Sequence, residues 1–236
     1  MDTKERLRHF QEELEHLKEQ ILAMGGLAED RVQVAVEALA SGDRDRLDGV
    51  LKGDGPINHL HVTIDALAFR LLALHQPMAS DLRVIVAALK ISSDLERIGD
   101  LAVNIAEAAQ RYLTRPPVKP LLDLPRMGAI AQAMLRDALD AFVKRDADLA
   151  RSVLERDDTL DGLKTQIFRE LLTYMLQDPS TIEGALDLIL VSRHLERIGD
   201  HATNIAEDII FVVSAKDVRH AGPGDRASLP ARGPES

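Results

Sequence analysis

The sequence predicts an all-α protein built as two tandem, sequence-related three-helix bundles. Leu95-Glu96-Arg97-Ile98-Gly99-Asp100 returns letter for letter as Leu195-Glu196-Arg197-Ile198-Gly199-Asp200, one hundred residues later. The match continues through Ala102, Asn104, Ile105, Ala106 and Glu107, mirrored by Ala202, Asn204, Ile205, Ala206 and Glu207. Apolar residues recur at i, i+3, i+4 spacing along most of the chain, which is the helical period. Aromatic residues make up only 3% and Trp is absent, so Leu, Ala, Ile and Val do the packing, as suits helix against helix. A repeat of about 100 residues reads as a duplicated bundle, because solenoid units have periods of roughly 20 to 50.

The first helix runs from about Lys4 to Ala40, with Leu7, Phe10, Leu14, Leu17, Ile21 and Leu22 on its apolar face. Gly25-Gly26 interrupts that pattern and marks a place for a kink. Ser41-Gly42-Asp43 ends this helix and caps the next. The segment Arg44 to His75 is broken around Gly53-Asp54-Gly55-Pro56, with a fresh start at Asp54, since Pro suits a first turn and not a helix interior. Gln76-Pro77 makes the turn into a third helix from about Ala79 to Leu113, roughly 50 Å long at 1.5 Å per residue.

Arg115-Pro116-Pro117-Val118-Lys119-Pro120 is the clear linker. The second half then replays the first. Helices from about Leu124 to Lys144 and Ala147 to Leu176 lead to the turn Asp178-Pro179, and a last helix spans Thr181 to Ala215. These boundaries give a first bundle at 1–114, a Pro-rich linker at 115–123, a second bundle at 124–216 and a disordered tail at 217–236, rich in Gly, Pro, Ser and Arg.

The net charge of −10 argues against nucleic acid as a partner, because phosphate binding needs clustered Lys and Arg. With no cysteine there is neither a disulfide nor a thiolate metal site. The segment Met1 to Arg8 is charged and lacks the apolar core of a signal peptide. No uninterrupted apolar run approaches the ~18 residues that span a bilayer. A soluble, cytoplasmic protein is the expectation.

Each copy of the repeated motif places a Glu and an Asp one helical turn apart, so their carboxylates project from one side. Glu96, Asp100, Asn104 and Glu107 fall in a stripe roughly 80° wide, opposite Ile91, Leu95, Ile98, Leu101 and Ile105. A solvated polar face is the ordinary explanation of such a stripe. Its repetition with the same residues weakens that explanation. So do Gly99 and Gly199, since mid-helix Gly costs about 1 kcal/mol relative to Ala and needs a compensating close approach by a neighbouring helix.

The middle helices extend the pattern. Val50-Leu51-Lys52-Gly53-Asp54 aligns with Val153-Leu154-Glu155-Arg156-Asp157, which sets Asp54 with Asn58 in the first half and Asp157 with Asp161 in the second. If the middle and last helices are antiparallel neighbours, each bundle presents two oxygen-bearing pairs on facing turns. Such ligands suit hard cations and iron, do not select zinc, and can bridge several ions at once. Arg97 and Arg197 sit beside the pairs and could instead neutralise them as surface ion pairs. His59 and His61 lie near Asp54, although exposed helix histidines are the commoner case. No Gly-rich phosphate loop, Gly-x-Ser-x-Gly or Cys nucleophile is present, so an enzyme is not indicated.

The paired Leu-Glu-Arg-Ile-Gly-Asp segments, with Gln76-Pro77-Met78-Ala79-Ser80-Asp81-Leu82-Arg83 ahead of the first, resemble the PhoU family from about Arg6 to Val213. The resemblance implies two three-helix bundles with surface metal motifs of the form Glu/Asp-x-x-x-Asp. These map onto Glu96 with Asp100, Glu196 with Asp200, and Asp157 with Asp161. The fourth pair departs from the motif, since Asn58 stands where it has Asp, and Gly53, Gly55 and Pro56 surround Asp54. The second copy is therefore the stronger candidate, and multinuclear iron, manganese or magnesium is the expected cofactor.

The resemblance further implies a regulatory adaptor that negatively regulates phosphate uptake and phosphate-starvation signalling. It would bind the ATPase subunit of the phosphate ABC transporter and a PhoR-type sensor histidine kinase, and reach the membrane through those partners. A homodimer is expected from the resemblance and from the long apolar helix faces. The alternatives are a metal-storage or metal-handling bundle without a signalling role, a helical scaffold with merely solvated stripes, and last a metallohydrolase.

Overall fold

The computed structural model describes residues 3–53 and 55–215, so Asp54 and the tail expected to be disordered at 217–236 lie outside the described residues. The first bundle holds α1 (Thr3–Ser41), the short α2 (Arg44–Lys52), α3 (Gly55–His75) and α4 (Ala79–Tyr112). The second holds α5 (Asp123–Lys144), α6 (Ala147–Gln177) and α7 (Ile182–Ser214), with a single 3-10 turn at Pro179–Thr181 before α7. Among the described residues there is no strand.

The helix starts are set by local chemistry. Asp43 accepts a hydrogen bond from the Arg46 amide at 3.1 Å, and Asp146 accepts from the Asp148 and Leu149 amides at 3.0 Å, satisfying amides that have no partner inside the helix. Gly53 closes α2, and Pro56 falls in the first turn of α3. The stretch Arg44–His75 is long and apolar enough by composition to cross a membrane. It is nevertheless divided at Gly53, and Ile57, Ile64, Ala68 and Leu71 are buried at helical spacing inside the bundle.

Within each bundle the middle and last helices run antiparallel. Ile57 meets Gly99 while His61 meets Ser92 in the first bundle, and Leu160 meets Gly199 while Lys164 meets Glu196 in the second. The two bundles share one continuous apolar core. Most of the join is made by α4 on α7, the last helix of each bundle. Lys90 pairs with Asp208 at 2.7 Å and Arg111 with Asp187 at 2.9 Å, which makes α4 and α7 antiparallel.

The pattern break at Gly25-Gly26 does not end the helix, since α1 runs unbroken through it. Gly25 serves the second contact between the bundles, where a Cβ at this position would lie 2.3 Å from Leu139 Cδ1 of α5. The relation is reciprocal, since a Cβ at Gly128 on α5 would lie 3.0 Å from Val36 Cγ1 of α1. Gly25 and Val36 correspond by the repeat to Gly128 and Leu139, so each bundle offers the same glycine and the same apolar knob. That is the signature of an approximate twofold arrangement within one chain. Gly99 and Gly199 likewise receive Ile57 Cδ1 and Leu160 Cδ2, which would stand 3.0 and 2.4 Å from an added Cβ. The compensation for mid-helix glycine is thus a side chain from the middle helix seated against the backbone.

Candidate metal centres

The second bundle brings its four acids together on neighbouring turns of α6 and α7. Asp157 and Asp161 come from α6, Glu196 and Asp200 from α7. The Asp200 carboxyl is pushed up to about 6, first by desolvation and then by the charges of Glu196, Asp157 and Asp161, with a small opposing effect from His201. Asp200 is exposed as a residue, yet its carboxyl feels its three acidic neighbours.

Lys164 is part of this arrangement and was missed by the motif reading. Its Nζ donates to Asp161 Oδ1 at 2.7 Å and to Glu196 Oε1 at 2.5 Å. Those two hydrogen bonds push its pKa up to about 12. An ammonium therefore bridges α6 to α7 where a cation shared by these acids would sit. The signal was present in the sequence, because Lys164 lies three residues after Asp161 and so on the same helical face.

The first bundle is built differently. Glu96 and Asp100 stand on α4 above Gly99, and Asn58 is exposed near the start of α3. His61 holds the position equivalent to Lys164, but its Nδ1 lies 2.8 Å from Ser92 Oγ and its Nε2 lies 3.9 Å from Asp65 Oδ2. The imidazole is thus engaged with Ser92 and Asp65. Among the described residues, Glu96 and Asp100 have no ion-pair partner. The guanidinium of Arg31 on α1 passes beneath them, 3.8 Å from where a Gly99 Cβ would be, at the position that Met134 fills in the second bundle.

The donors of the second set fit a hard cation in type: oxygen only, from two helices, with one carboxyl held above its ordinary range by desolvation and then by the negative charge of the others. Among the described residues, no group of three or more His, Asp or Glu side chains converges tightly enough to hold an ion in this conformation. Lys164 accounts for that in the second set, since it draws Asp161 and Glu196 onto its own charge. The richer acidic set thus carries an internal competitor for the ion.

Two residues that flank the acidic motifs in sequence, Asp94 and His194, lie apart from the acidic sets. Asp94 turns into the α4–α7 seam and pairs with His201 at 2.8 Å, both side chains being largely buried. His194, its counterpart in the repeat, has a buried Nδ1 without a hydrogen-bond partner among the described residues. Burial, then Arg197, Arg193 and Arg111, hold its pKa below the ordinary imidazole value. Glu107 is exposed as the stripe predicts, but Glu207 is buried beside Asn204 and Asp208 in the seam. The acidic stripe is therefore not equivalent in the two copies.

Comparison with known proteins gives consistent relationships. The family model described as PhoU domain matches residues 21–109 and 124–209. A "phosphate-specific transport system accessory protein PhoU homolog" of Caulobacter vibrioides is 44% identical, over 94% of this chain and 96% of its own. A homolog so described from Pseudomonas aeruginosa is 43% identical, over 94% of both chains. The crystal structure of PhoU from Pseudomonas aeruginosa superposes with a TM-score of 0.84 at 43% identity, covering 88% of this chain and 100% of that one. That of the phosphate transport system regulatory protein PhoU from Streptococcus pneumoniae gives 0.82 at 30% identity, covering 89% and 99%.

Proposed function

The chain belongs to the PhoU family, and from that premise we propose that it is a regulatory adaptor of phosphate transport. It restrains the phosphate ABC transporter through the ATPase subunit and holds a PhoR-type sensor kinase in its phosphate-replete state, on the cytoplasmic side of the membrane. Its action is binding rather than catalysis. The observation that carries this reading is the coverage of the relationship: relatives described as transport-system accessory proteins align over 94% of the chain. Both bundles fall within the family model, at residues 21–109 and 124–209. The test is deletion of the gene with a phosphate-starvation reporter in phosphate-rich medium. Derepression is expected, and unchanged repression would overturn the proposal.

The acidic sets are proposed as hard-cation sites of this adaptor. Asp157, Asp161, Glu196 and Asp200 would hold an ion in the second bundle, and Glu96, Asp100, Asn58 and Asp54 a weaker one in the first. A bound iron, manganese or magnesium ion would supply charge neutralisation that draws α6 and α7 together. The reading as a metal-storage bundle without a signalling role draws on the same four carboxylates, but an ammonium seated among them suits a regulated site better than a reservoir. Metal content of Glu196→Ala and Asp200→Ala variants, compared with reporter repression, separates the two. Lost metal with normal repression would favour storage.

A further inference from the structure

We infer that the groove between α6 and α7 receives an amphipathic helix whose apolar face is flanked by acidic side chains. The inference rests on the adaptor reading above and adds to it the docking surface and the chemistry of the segment received.

The groove has a volume of about 450 Å³, with Ile189 and Ser192 among its lining residues and Phe168 beside them. Beyond it the apolar surface continues along the same two helices. Leu172 and Leu176 on α6 and Ile182, Leu186 and Leu190 on α7 are all exposed, Leu176 to 78%. Leucines scattered singly on a surface need no explanation, but a contiguous stripe on two adjacent helices marks an interaction surface.

The charges around the stripe identify the occupant. Arg193 and Arg197 line the groove one turn apart, and Arg169 stands beside Phe168 on α6. All three are exposed, and among the described residues none has an ion-pair partner. Of the acids nearby, Glu196 is paired with Lys164, and Glu183 and Asp187 with Arg115. In a chain of net charge −10, the open charges that line this groove, Arg193 and Arg197, are positive, and Asp200, which has no ion-pair partner among the described residues, lies outside its lining. An apolar partner with acidic flanks complements it, and a helix lying between two helices gives the apolar side chains their holes. A planar membrane surface fits a concave groove less well.

The repeat provides an internal control. At the corresponding face of the first bundle, Asp65 replaces Phe168, Lys90 replaces Leu190 and Ser93 replaces Arg193. Lys90 is engaged with Asp208, and Asp65 lies beside His61. The first bundle keeps exposed apolar residues at Phe69, Leu82 and Val86 and an exposed Arg97, but Ala66 and Ser93 stand where the second has Arg169 and Arg193, so the open positive charge is greater in the second. Lys164 and Glu196 line both this groove and the acidic set, so a docked helix contacts the carboxylates proposed to hold metal.

The test is binding of the full chain to a labelled synthetic peptide of about five helical turns, with Leu and Phe at i, i+3, i+4 and i+7 and Glu on the flanks. A sister peptide carries Lys in place of Glu. Saturable binding of the acidic peptide, protection of α6 and α7 amides from hydrogen exchange, and roughly tenfold weakening by Arg193→Glu with Arg197→Glu are expected. Phe69→Glu, on the first bundle's face, leaves binding unchanged. Equal binding of the Lys peptide, or protection confined to other helices, would overturn the inference. So would Arg-dependent binding of phosphatidylglycerol vesicles without peptide binding, which would make the occupant a membrane. The starvation reporter reads the adaptor function separately, so failure of either is distinguishable.

Discussion

Lys164 and Glu196 meet at 2.5 Å across the α6–α7 interface, and the same ammonium reaches Asp161 at 2.7 Å. The protein thus supplies its own cation to the acidic set that its repeat motif assembles. Replacing Lys164 by Met removes that competitor while keeping the aliphatic stem. Lys164→Met is expected to raise Mn²⁺ affinity by roughly tenfold or more in a calorimetric titration, since Asp161 and Glu196 then lose their ammonium partner. The ion pair is partly exposed, so thermal stability changes by less than about 1 kcal/mol. Unaltered Mn²⁺ affinity would show that Lys164 and the metal do not share the site.

Asp200 makes the second bundle sensitive to pH. Its carboxyl titrates near 6 in the folded chain against an ordinary 3.8, so between those values the folded state holds a proton that the unfolded state has released. Folding stability therefore falls as pH rises through this window, opposite to the usual carboxylate. Asp200→Asn is expected to flatten this slope in denaturation midpoints measured from about pH 4 to pH 7. Mn²⁺ binding at the proposed site needs the carboxylate, so it is expected to weaken as pH falls below about 6 and to release protons there. A wild-type slope retained in Asp200→Asn would assign it to another group.

Gly25 and Gly26 are adjacent and are expected to respond with opposite signs. An added Cβ at Gly26 meets nothing within 4 Å, so Gly26→Ala stabilises by about 1 kcal/mol through helix propensity alone. At Gly25 the same methyl would collide with buried Leu139, and overpacking of about 1–3 kcal/mol outweighs the propensity gain. Thermal unfolding of the two single variants checks this. Equal stabilisation by both would show that α5 does not press on α1.

Lys119 ties the Pro-rich linker to the second bundle. It is buried at 8% exposure, and it bonds to Asp123 at 3.0 Å and to Glu170. Burial works against the ammonium, but the two carboxylates outweigh it and raise its pKa above the ordinary value. Lys119→Ala is expected to cost about 2 kcal/mol in denaturant unfolding, because two partly buried carboxylates lose their counter-ion. The ion pairs contribute fully at neutral pH and are lost only in strong alkali, as pH rises through the raised folded-state value. An effect below about 0.5 kcal/mol would reduce the linker contact to a surface one.

The helices, the Pro turns and the duplicated architecture were legible because they are local: period, capping residues and a repeated string lie within a few turns of each other. The acidic sets were legible for the same reason, since Asp157 with Asp161 and Glu196 with Asp200 are each one turn apart. What the bundles do to each other was not. The pairing of Asp94 with His201, and of Gly25 with Leu139, joins residues more than a hundred positions apart. No periodicity announces such contacts, so Gly25 read as an interruption of the first helix and nothing marked Asp94 as a seam residue. Lys164 was an intermediate case: its spacing from Asp161 was visible, but its pairing with Glu196 depends on how α6 and α7 are set against each other.

The adaptor function is tested most directly by a pull-down of the purified transporter ATPase subunit and the cytoplasmic part of the sensor kinase on this chain, with and without chelator. Binding of both partners in metal-replete buffer, weakened by chelation and by Glu196→Ala with Asp200→Ala, is the predicted result. Absence of binding to either partner in both buffers would contradict it.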